Sequence, residues 1–397
     1  MSSHAIPILT INSGSSSLKF AVYEAGEKCT TLIVRGAFER IGLDHSSFRA
    51  EGRDGQPVGS GCDHLPNHDA ALANLFDWLN RRSLQFVAVG HRVVHGGTCY
   101  EHRRVDDDLL RHLTRVIRFA PEHQPAAIAA IEAVAHRFPQ ADQVACFDTA
   151  FHRSMPRVHR MVPLPRRFAQ AGVERCGFHG LSYQSIFEKL RAAGSQIAAG
   201  RVVIAHLGNG ASMAALRGGK CVDTTMGFTP AGGLMMGTRT GDLDPGVVLF
   251  AAEEQKLDTA ALRRLVNHES GLLGVSELSS DMKDLLAVEQ QNKSAADAVA
   301  LFCHQARKCL GGLIAVLGGL DTLVFTGGIG QQSPQIRARI SAGFEFLGLA
   351  VDDDRNAVDD QIISRKDSAV SVRVMKTDEE RVVASITYNI IFGLSPA

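Results

Sequence analysis

Three glycine-rich runs mark where this chain could do chemistry. The first, Asn12-Ser13-Gly14-Ser15-Ser16-Ser17 with Lys19 close behind, offers hydroxyls, an amide, closely spaced backbone N–H groups and one cation. Those are the groups that a polyphosphate or a hard divalent cation needs. The run lacks the G-x-x-x-x-G-K-[ST] spacing of a P-loop, and alone it would also serve as a polar hairpin turn. The second run, Gly208-Asn209-Gly210-Ala211-Ser212, stands at the matching place in the other half of the chain. The third, Thr326-Gly327-Gly328-Ile329-Gly330, lies between a strand and a helix, where backbone can approach a ligand closely. Together the three point to a bound nucleotide.

Single residues beside glycine add a second kind of group. Arg92 in GHRVVHGG and Arg239 in GLMMGTRTGDLDPG could each present a guanidinium fork to a carboxylate or a phosphoryl oxygen, with a surface arginine as the plain alternative. Around Arg239 that alternative fails, because a run holding Gly232, Gly233, Gly237, Gly241 and Gly246 is costly to order without a purpose. Among 16 histidines, His179 in CGFHGLS stands out because Gly180 leaves room for a ligand. His123, between Pro121 and Pro125, could equally cap or pack, and His206 could be structural. Asp148 closes the segment QVACFD, where it could orient an arginine or a metal-bound water, or cap a helix. Thr377 and Glu380 have capping-box spacing, which leaves Glu379 free for another task.

These groups need elements to hold them. Segments 7–12, 18–23 and 29–35 are short, rich in β-branched, aromatic and leucine residues, and divided by turn residues, which predicts an antiparallel meander. Helical periodicity follows over 68–82 and 126–138, separated by strands at 87–94 and 143–148. Residues 201–225 restart the strand, polar glycine turn, strand pattern, so that INSGSSSLKFAVY and AHLGNGASMAAL are the same device used twice. Helices near 257–267 and 294–319, a strand at 321–328, a helix opened by Ser333 and Pro334, and a last helix from Thr377 toward Ile391 complete the pattern. The 397 residues suggest two lobes, 1–150 and 151–384, with the C-terminal helix from about 385 returning to the first.

Composition excludes several classes. Lys plus Arg and Asp plus Glu are 42 each, so no net field draws the chain to nucleic acid or to an anionic membrane, and an anionic ligand must be caught locally. The first residues carry no signal-peptide pattern, and the most apolar stretch, Cys309–Leu320, falls short of the roughly 20 residues of a membrane span, so a cytoplasmic protein is expected. None of the eight cysteines has zinc-site or redox-motif spacing, which predicts reduced, structural thiols.

INSGSSSLKF, GHRVVHGG, FDTAFH, GFHG, HLGNGAS, DTTMGFTP, GLMMGTR, GDLDPG, SSDM, GGIG and TDEE occur in the order and approximate spacing of the acetate kinase family, which the chain resembles over essentially its whole length. The resemblance implies an α/β fold of two duplicated, actin-like and RNase H-like lobes with a nucleotide cleft between them. It also implies a cytoplasmic homodimer and Mg²⁺, with Mn²⁺ as an alternative, and reversible phosphoryl transfer from ATP to acetate, giving ADP and acetyl phosphate. On this resemblance the metal site falls on Asn12 and Glu379, the phosphate-contacting lysine on Lys19, the carboxylate-binding arginine on Arg92, the transition-state groups on His179 and Arg239, and the catalytic aspartate on Asp148. Nucleotide contacts carry over to His206, Leu207, Gly208, Asn209 and Gly210, to Asp281, Met282 and Lys283, and to Gly328, Ile329, Gly330, Gln331 and Gln332. Val94, Phe178 and Pro230 match the apolar pocket for the substrate's methyl group, and His123 joins the substrate side. The chain departs from the family where GIGEN becomes Gly328-Ile329-Gly330-Gln331-Gln332, where Glu122 replaces a leucine before His123, and where Cys176 replaces an aromatic residue. Glu122 is expected in the first turn of a helix, paired with its dipole and pointing outward.

The chemistry implied is electrostatic. A short carboxylic acid arrives ionised, so the task is to bring two anions together and stabilise a metaphosphate-like transition state rather than to remove a proton. A propionate, butyrate or other short-acid kinase would differ only in the pocket. A sugar kinase would need a carboxylate base and no second arginine, and an actin-like nucleotide switch would carry partner surfaces instead.

Overall fold

Ile6–Ser13 (β1), Ser17–Ala25 (β2) and Thr30–Glu39 (β3) form the expected antiparallel meander, and the register sets Asn12 on β1 opposite Lys19 on β2. These strands belong to a computed structural model that describes residues 5–27, 29–61 and 64–394; Cys62 lies outside the described residues. Two further strands, Ser47–Gly52 (β4) and Pro57–Gly61 (β5), extend the meander at its edge, where half-exposed polar residues hide the strand signal. Ala88–Val93 (β6), Arg103–Arg104 (β7) and Asp142–Phe147 (β8) complete a sheet of order β5-β4-β3-β2-β1-β6-β8-β7, in which β1, β6 and β8 run parallel.

The second half repeats this plan. Arg201–Leu207 (β9), Ala211–Arg217 (β10), Lys220–Thr224 (β11), Thr322–Thr326 (β12) and Ser371–Val374 (β13) form a sheet of order β11-β10-β9-β12-β13. Here β9, β10 and β11 are an antiparallel meander, and β9, β12 and β13 run parallel. The order β3-β2-β1-β6-β8 is therefore repeated strand for strand as β11-β10-β9-β12-β13, and the duplication suspected from two glycine turns extends to whole sheets. It was faint in the sequence because both faces of such sheets are covered, which replaces alternation by unbroken apolar runs.

Alternation does decide what covers the first sheet. Leu9, Ile11, Phe20 and Val22 pack with Leu72, Leu75, Phe76 and Leu79 of the His68–Arg81 helix and with Val134 of the Gln124–Arg137 helix. Their strand neighbours Ile8, Ala21 and Tyr23 point the other way, onto Ala384 and Tyr388 of the Glu379–Ile391 helix. Gly90 on β6 makes this close approach feasible: a Cβ there would lie 2.5 Å from Cγ1 of Val383 and would also collide with the Thr387 hydroxyl.

The chain divides into two compact units, residues up to Phe151 with those from Asp378 onward, and His152–Thr377. The return to the first unit comes at Asp378 rather than near 385, since the last helix packs on the first sheet from its opening turns. That helix begins at Glu379 with Asp378 as N-cap, whose carboxylate accepts from the Arg381 N–H at 3.1 Å. The capping box expected from Thr377 and Glu380 does not form, and the buried Thr377 hydroxyl has no hydrogen-bond partner. One other expectation changes: Gly327–Gln332 is a short helix rather than an open glycine loop. Ser333 and Pro334 open the Pro334–Ser341 helix as expected, with Ser333 at the N-cap though without a side-chain bond to it.

The Lys293–Leu317 helix, longer than the apolar stretch 309–320 that lies at its end, is capped by Asn292 and closed by Gly318 at φ +71°. By length and composition it could cross a membrane. Its Phe302, Ala306, Leu310 and Leu313 are buried inside the second unit, as in a core helix.

Candidate functional site

In the first unit the structure brings Asn12, Arg92, Asp148 and Glu379 together. Arg92 projects from β6, and Asp148 follows β8 directly, its N–H bonded to the Val93 carbonyl. Parallel pairing of the two strands thus sets a carboxylate beside a guanidinium. Nε and Nη2 of Arg92 donate to Asp148 at 3.2 and 2.7 Å, and Nη1 donates to Oδ1 of Asn12 at 3.1 Å. Glu379, at the first turn of its helix, reaches 3.7 Å from Nε. Five N–H groups less these three leave a second N–H on each of Nη1 and Nη2 for a ligand. Asp148 is 1 % exposed and Arg92 20 %, so the acid is sealed in while the arginine keeps an open side.

Charge in this cluster is unbalanced. Asp148, Glu379 and Glu380 surround Arg92, with Lys19 the other nearby cation. Burial raises the Glu379 carboxyl to about 7; Arg92 pulls it down, Asp148 and Glu380 push it up, and Lys19 pulls it down again. Burial acts to lower the pKa of Arg92, but Asp148 and Glu379 outweigh it and raise the net value. A small concavity lined by Thr10, Asn12, Arg92, Glu379 and Glu380 opens here. Hard oxygen donors with excess negative charge suit Mg²⁺, which keeps much of its water shell. Among the described residues no three His, Cys, Asp or Glu side chains converge as a metal cage, so Asn12 and Glu379 would be part of such a shell, completed by water and ligand oxygens.

In the second unit a different set converges on Gly210. His179 is the N-cap of the Gly180–Ala193 helix in the left-handed conformation, φ +58°. Its Nδ1 lies 2.8 Å from the Ser212 hydroxyl, which in turn bonds the Tyr183 hydroxyl, and its ring stacks on His206 with centroids 4.3 Å apart. The Nδ1 of His206 is tied to the Ser182 hydroxyl at 2.8 Å. A Cβ on Gly210 would sit 3.2 Å from Nε2 of His179 and 3.6 Å from Nη1 of Arg239, so the missing side chain leaves space that both groups border. Nη1 of Arg239 also donates to the Pro230 carbonyl at 3.2 Å. The Arg239 loop rests on Gly271, whose φ of +67° and missing Cβ let it lie against the Arg239 backbone.

The remaining nucleotide-side residues fall near this set or beside it. Leu207 ends β9, Gly208, Asn209 and Gly210 form the turn to β10, and the Asn209 carbonyl accepts from the Gly237 N–H. Gly327 packs on the Leu207 backbone, which brings the helix carrying Gly328, Ile329, Gly330, Gln331 and Gln332 alongside that turn. Asp281 caps the helix that starts at Met282, accepting from the Lys283 N–H at 2.8 Å. On the substrate side, Val94 and Phe178 are buried, each in its own unit. His123 is the N-cap of the Gln124–Arg137 helix without a side-chain bond to it. Glu122 therefore precedes that helix and does not lie in its first turn.

Several supporting residues were not foreseen. Ser182, Tyr183 and Ser212 orient the two histidines; Ser182 and Tyr183 stand at the second and third places after GFHG, and Ser212 directly follows GNGA at the end of the second glycine run. Arg337, fully buried, donates to the carbonyls of Gly330 and Gln331 at 3.1 and 2.8 Å and holds the end of the glycine helix. In the mixed sequence PQIRARIS nothing distinguished Arg337 from a surface arginine.

Fold and site define an α/β kinase of duplicated lobes, with an arginine–carboxylate cluster in one and a histidine–arginine pair in the other. The acetate kinase of Porphyromonas gingivalis superposes with a TM-score of 0.87 at 34 % identity, covering 98 % of this chain and 100 % of that one. A propionate kinase of Francisella tularensis gives 0.88 at 31 % identity, covering 97 % and 100 %. The acetate kinase of Methylocella silvestris is 42 % identical over 98 % of this chain and 99 % of its own length. The acetokinase family profile matches residues 7–385, and the chain belongs to that family, phosphotransferases with a carboxyl group as acceptor.

Proposed function

We propose that the enzyme is an acetate kinase, interconverting ATP plus acetate with ADP plus acetyl phosphate. The observation that carries this reading is Arg92: a partly exposed guanidinium clamped on Asp148 and Asn12, with two N–H groups left over, is a preorganised receptor for a small carboxylate. The acid binds ionised, so Asp148 serves by fixing the Arg92 fork rather than as a base. Nε2 of His179 and the guanidinium of Arg239 supply positive charge to the equatorial oxygens of the phosphoryl group in flight. Backbone at Gly208–Gly210 and Gly328–Gln332, with Asp281–Lys283, holds the nucleotide, and Lys19 meets a phosphate. Val94, Phe178 and Pro230 receive the methyl group. When bound by Asn12 and Glu379, Mg²⁺ would neutralise nucleotide phosphate charge.

The reading places the enzyme where ATP is, in the cytoplasm. It also makes the protein a homodimer; exposed Val247, Leu249 and Phe250 on the Pro245–Glu253 helix offer apolar surface for one, and a single 42.7 kDa species in sedimentation would contradict it.

Replacing Arg92 or Arg239 by alanine tests the assignment. Turnover should fall by about two orders of magnitude or more, since one preorganised charge at the transition state is worth roughly 3 to 4 kcal/mol. Near-normal turnover in both folded variants would contradict it.

A further inference from the structure

His152 lies outside every group assigned so far. It is 1 % exposed, near the start of the second unit, and its ring touches the residue before His179 and the tyrosine that bonds Ser212. Nε2 lies 3.0 Å from the carbonyl of Phe178, the residue before His179, and Nδ1 lies 3.2 Å from Sγ of Cys221. The ring also meets Tyr183 edge-on with centroids 5.7 Å apart, and Tyr183 bonds the Ser212 hydroxyl that holds Nδ1 of His179. Gly177 has φ +72°, and a Cβ there would lie 2.6 Å from the His152 ring, so the GFHG loop is folded directly onto this imidazole.

We infer that His152 is a positioning residue for the phosphoryl-transfer step: it fixes the left-handed turn at His179 through the Phe178 carbonyl and the Tyr183 ring. A non-glycine residue at φ +58° is held there against a conformational cost, and the surrounding contacts must outweigh it. The hydrogen bonds also define the tautomer. The Phe178 carbonyl can only accept, so Nε2 carries the proton and Nδ1 is left as an acceptor facing the Cys221 thiol, whose single S–H also has the Asp223 carbonyl within reach at 3.5 Å. Burial lowers the His152 pKa to about 4, with the Phe178 carbonyl acting against it and Arg175 reinforcing it. Burial likewise raises the Cys221 pKa, and Asp223 adds to that, so the thiol stays protonated and can donate. The inference rests on His179 acting at the transition state, as proposed above.

The test compares His152→Phe, which keeps the ring and loses the donor, with His152→Gln, whose amide can still reach the carbonyl, and with His179→Ala. His152→Phe should lower kcat at least tenfold while the ATP KM stays within about twofold, and His152→Gln should recover most of the loss. A folded His152→Phe enzyme with normal kcat, beside an impaired His179→Ala, would overturn the positioning role; a normal His179→Ala would instead overturn the functional reading. Should His152→Phe fail to fold, ¹⁵N-histidine spectra of the wild type decide. A neutral Nε2–H tautomer for His152 throughout pH 5.5 to 8 is expected, and an Nδ1–H or charged ring would overturn the proposal.

Discussion

Arg92 and Asp148 show what residue types can and cannot announce. Each was singled out from its neighbours, Arg92 by glycines and Asp148 by a strand end, but the sequence left Asp148 open between a cap and an orienter. Only the parallel pairing of β6 with β8 sets one beside the other, and that pairing joins residues 56 positions apart. The same holds for His179 and Arg239, which meet across Gly210. Glu379 brings a consequence at this scale. Its carboxyl is raised from 4.5 to about 7 chiefly by burial, so the folded state holds a proton that the unfolded state has lost. Its contribution to stability is therefore complete below pH 4.5 and is lost as pH rises through about 7. Glu379→Gln stays neutral and escapes that loss. In Mg²⁺-free denaturant titrations the variant should gain on the wild type between pH 5 and 8, and parallel profiles would show that Glu379 titrates normally.

Elements with strong periodicity were legible and their ends were not. The meander of the first unit, its two long helices and the strand–turn–strand of the second half all lie where apolar spacing puts them. The last helix illustrates the failure: Thr377 and Glu380 have the spacing of a capping box, but Asp378 takes the cap, pinned by the Tyr23 hydroxyl at 3.1 Å from the distant strand β2. A tertiary contact thus chose between two local solutions. The short strand β4 and the edge strands β5, β7 and β13 escaped notice because their stability comes from neighbours rather than from pattern. The corrected cap makes a prediction. Asp378→Ala should cost about 0.5 to 2 kcal/mol, whereas Glu380→Ala should cost only a few tenths. Chemical denaturation of both variants measures this, and the reverse ranking would restore the capping box.

At the scale of the whole chain, duplication explains why function was readable at all. Two copies of one sheet plan each put a polar glycine turn after the first strand, at Asn12–Ser17 and at Gly208–Ser212, and both turns carry residues assigned to phosphate or metal. The two units differ in what they gather: the first has Arg92 and the acids, the second the histidines and Arg239. What the family resemblance leaves to experiment is the acid, because acetate and propionate kinases of known structure resemble this chain almost equally. Glu122, in the turn ahead of the Gln124–Arg137 helix, is the chain's own departure on the substrate side. The most direct measurement is steady-state phosphoryl transfer from ATP and Mg²⁺ to acetate, propionate, butyrate and a hexose, assayed in parallel on wild type and Arg92→Ala. Acetate should give the highest kcat/KM, with loss of about two orders of magnitude in the variant and no turnover of the hexose. Preferred transfer to the hexose, or transfer to acetate that ignores the loss of Arg92, would contradict the account.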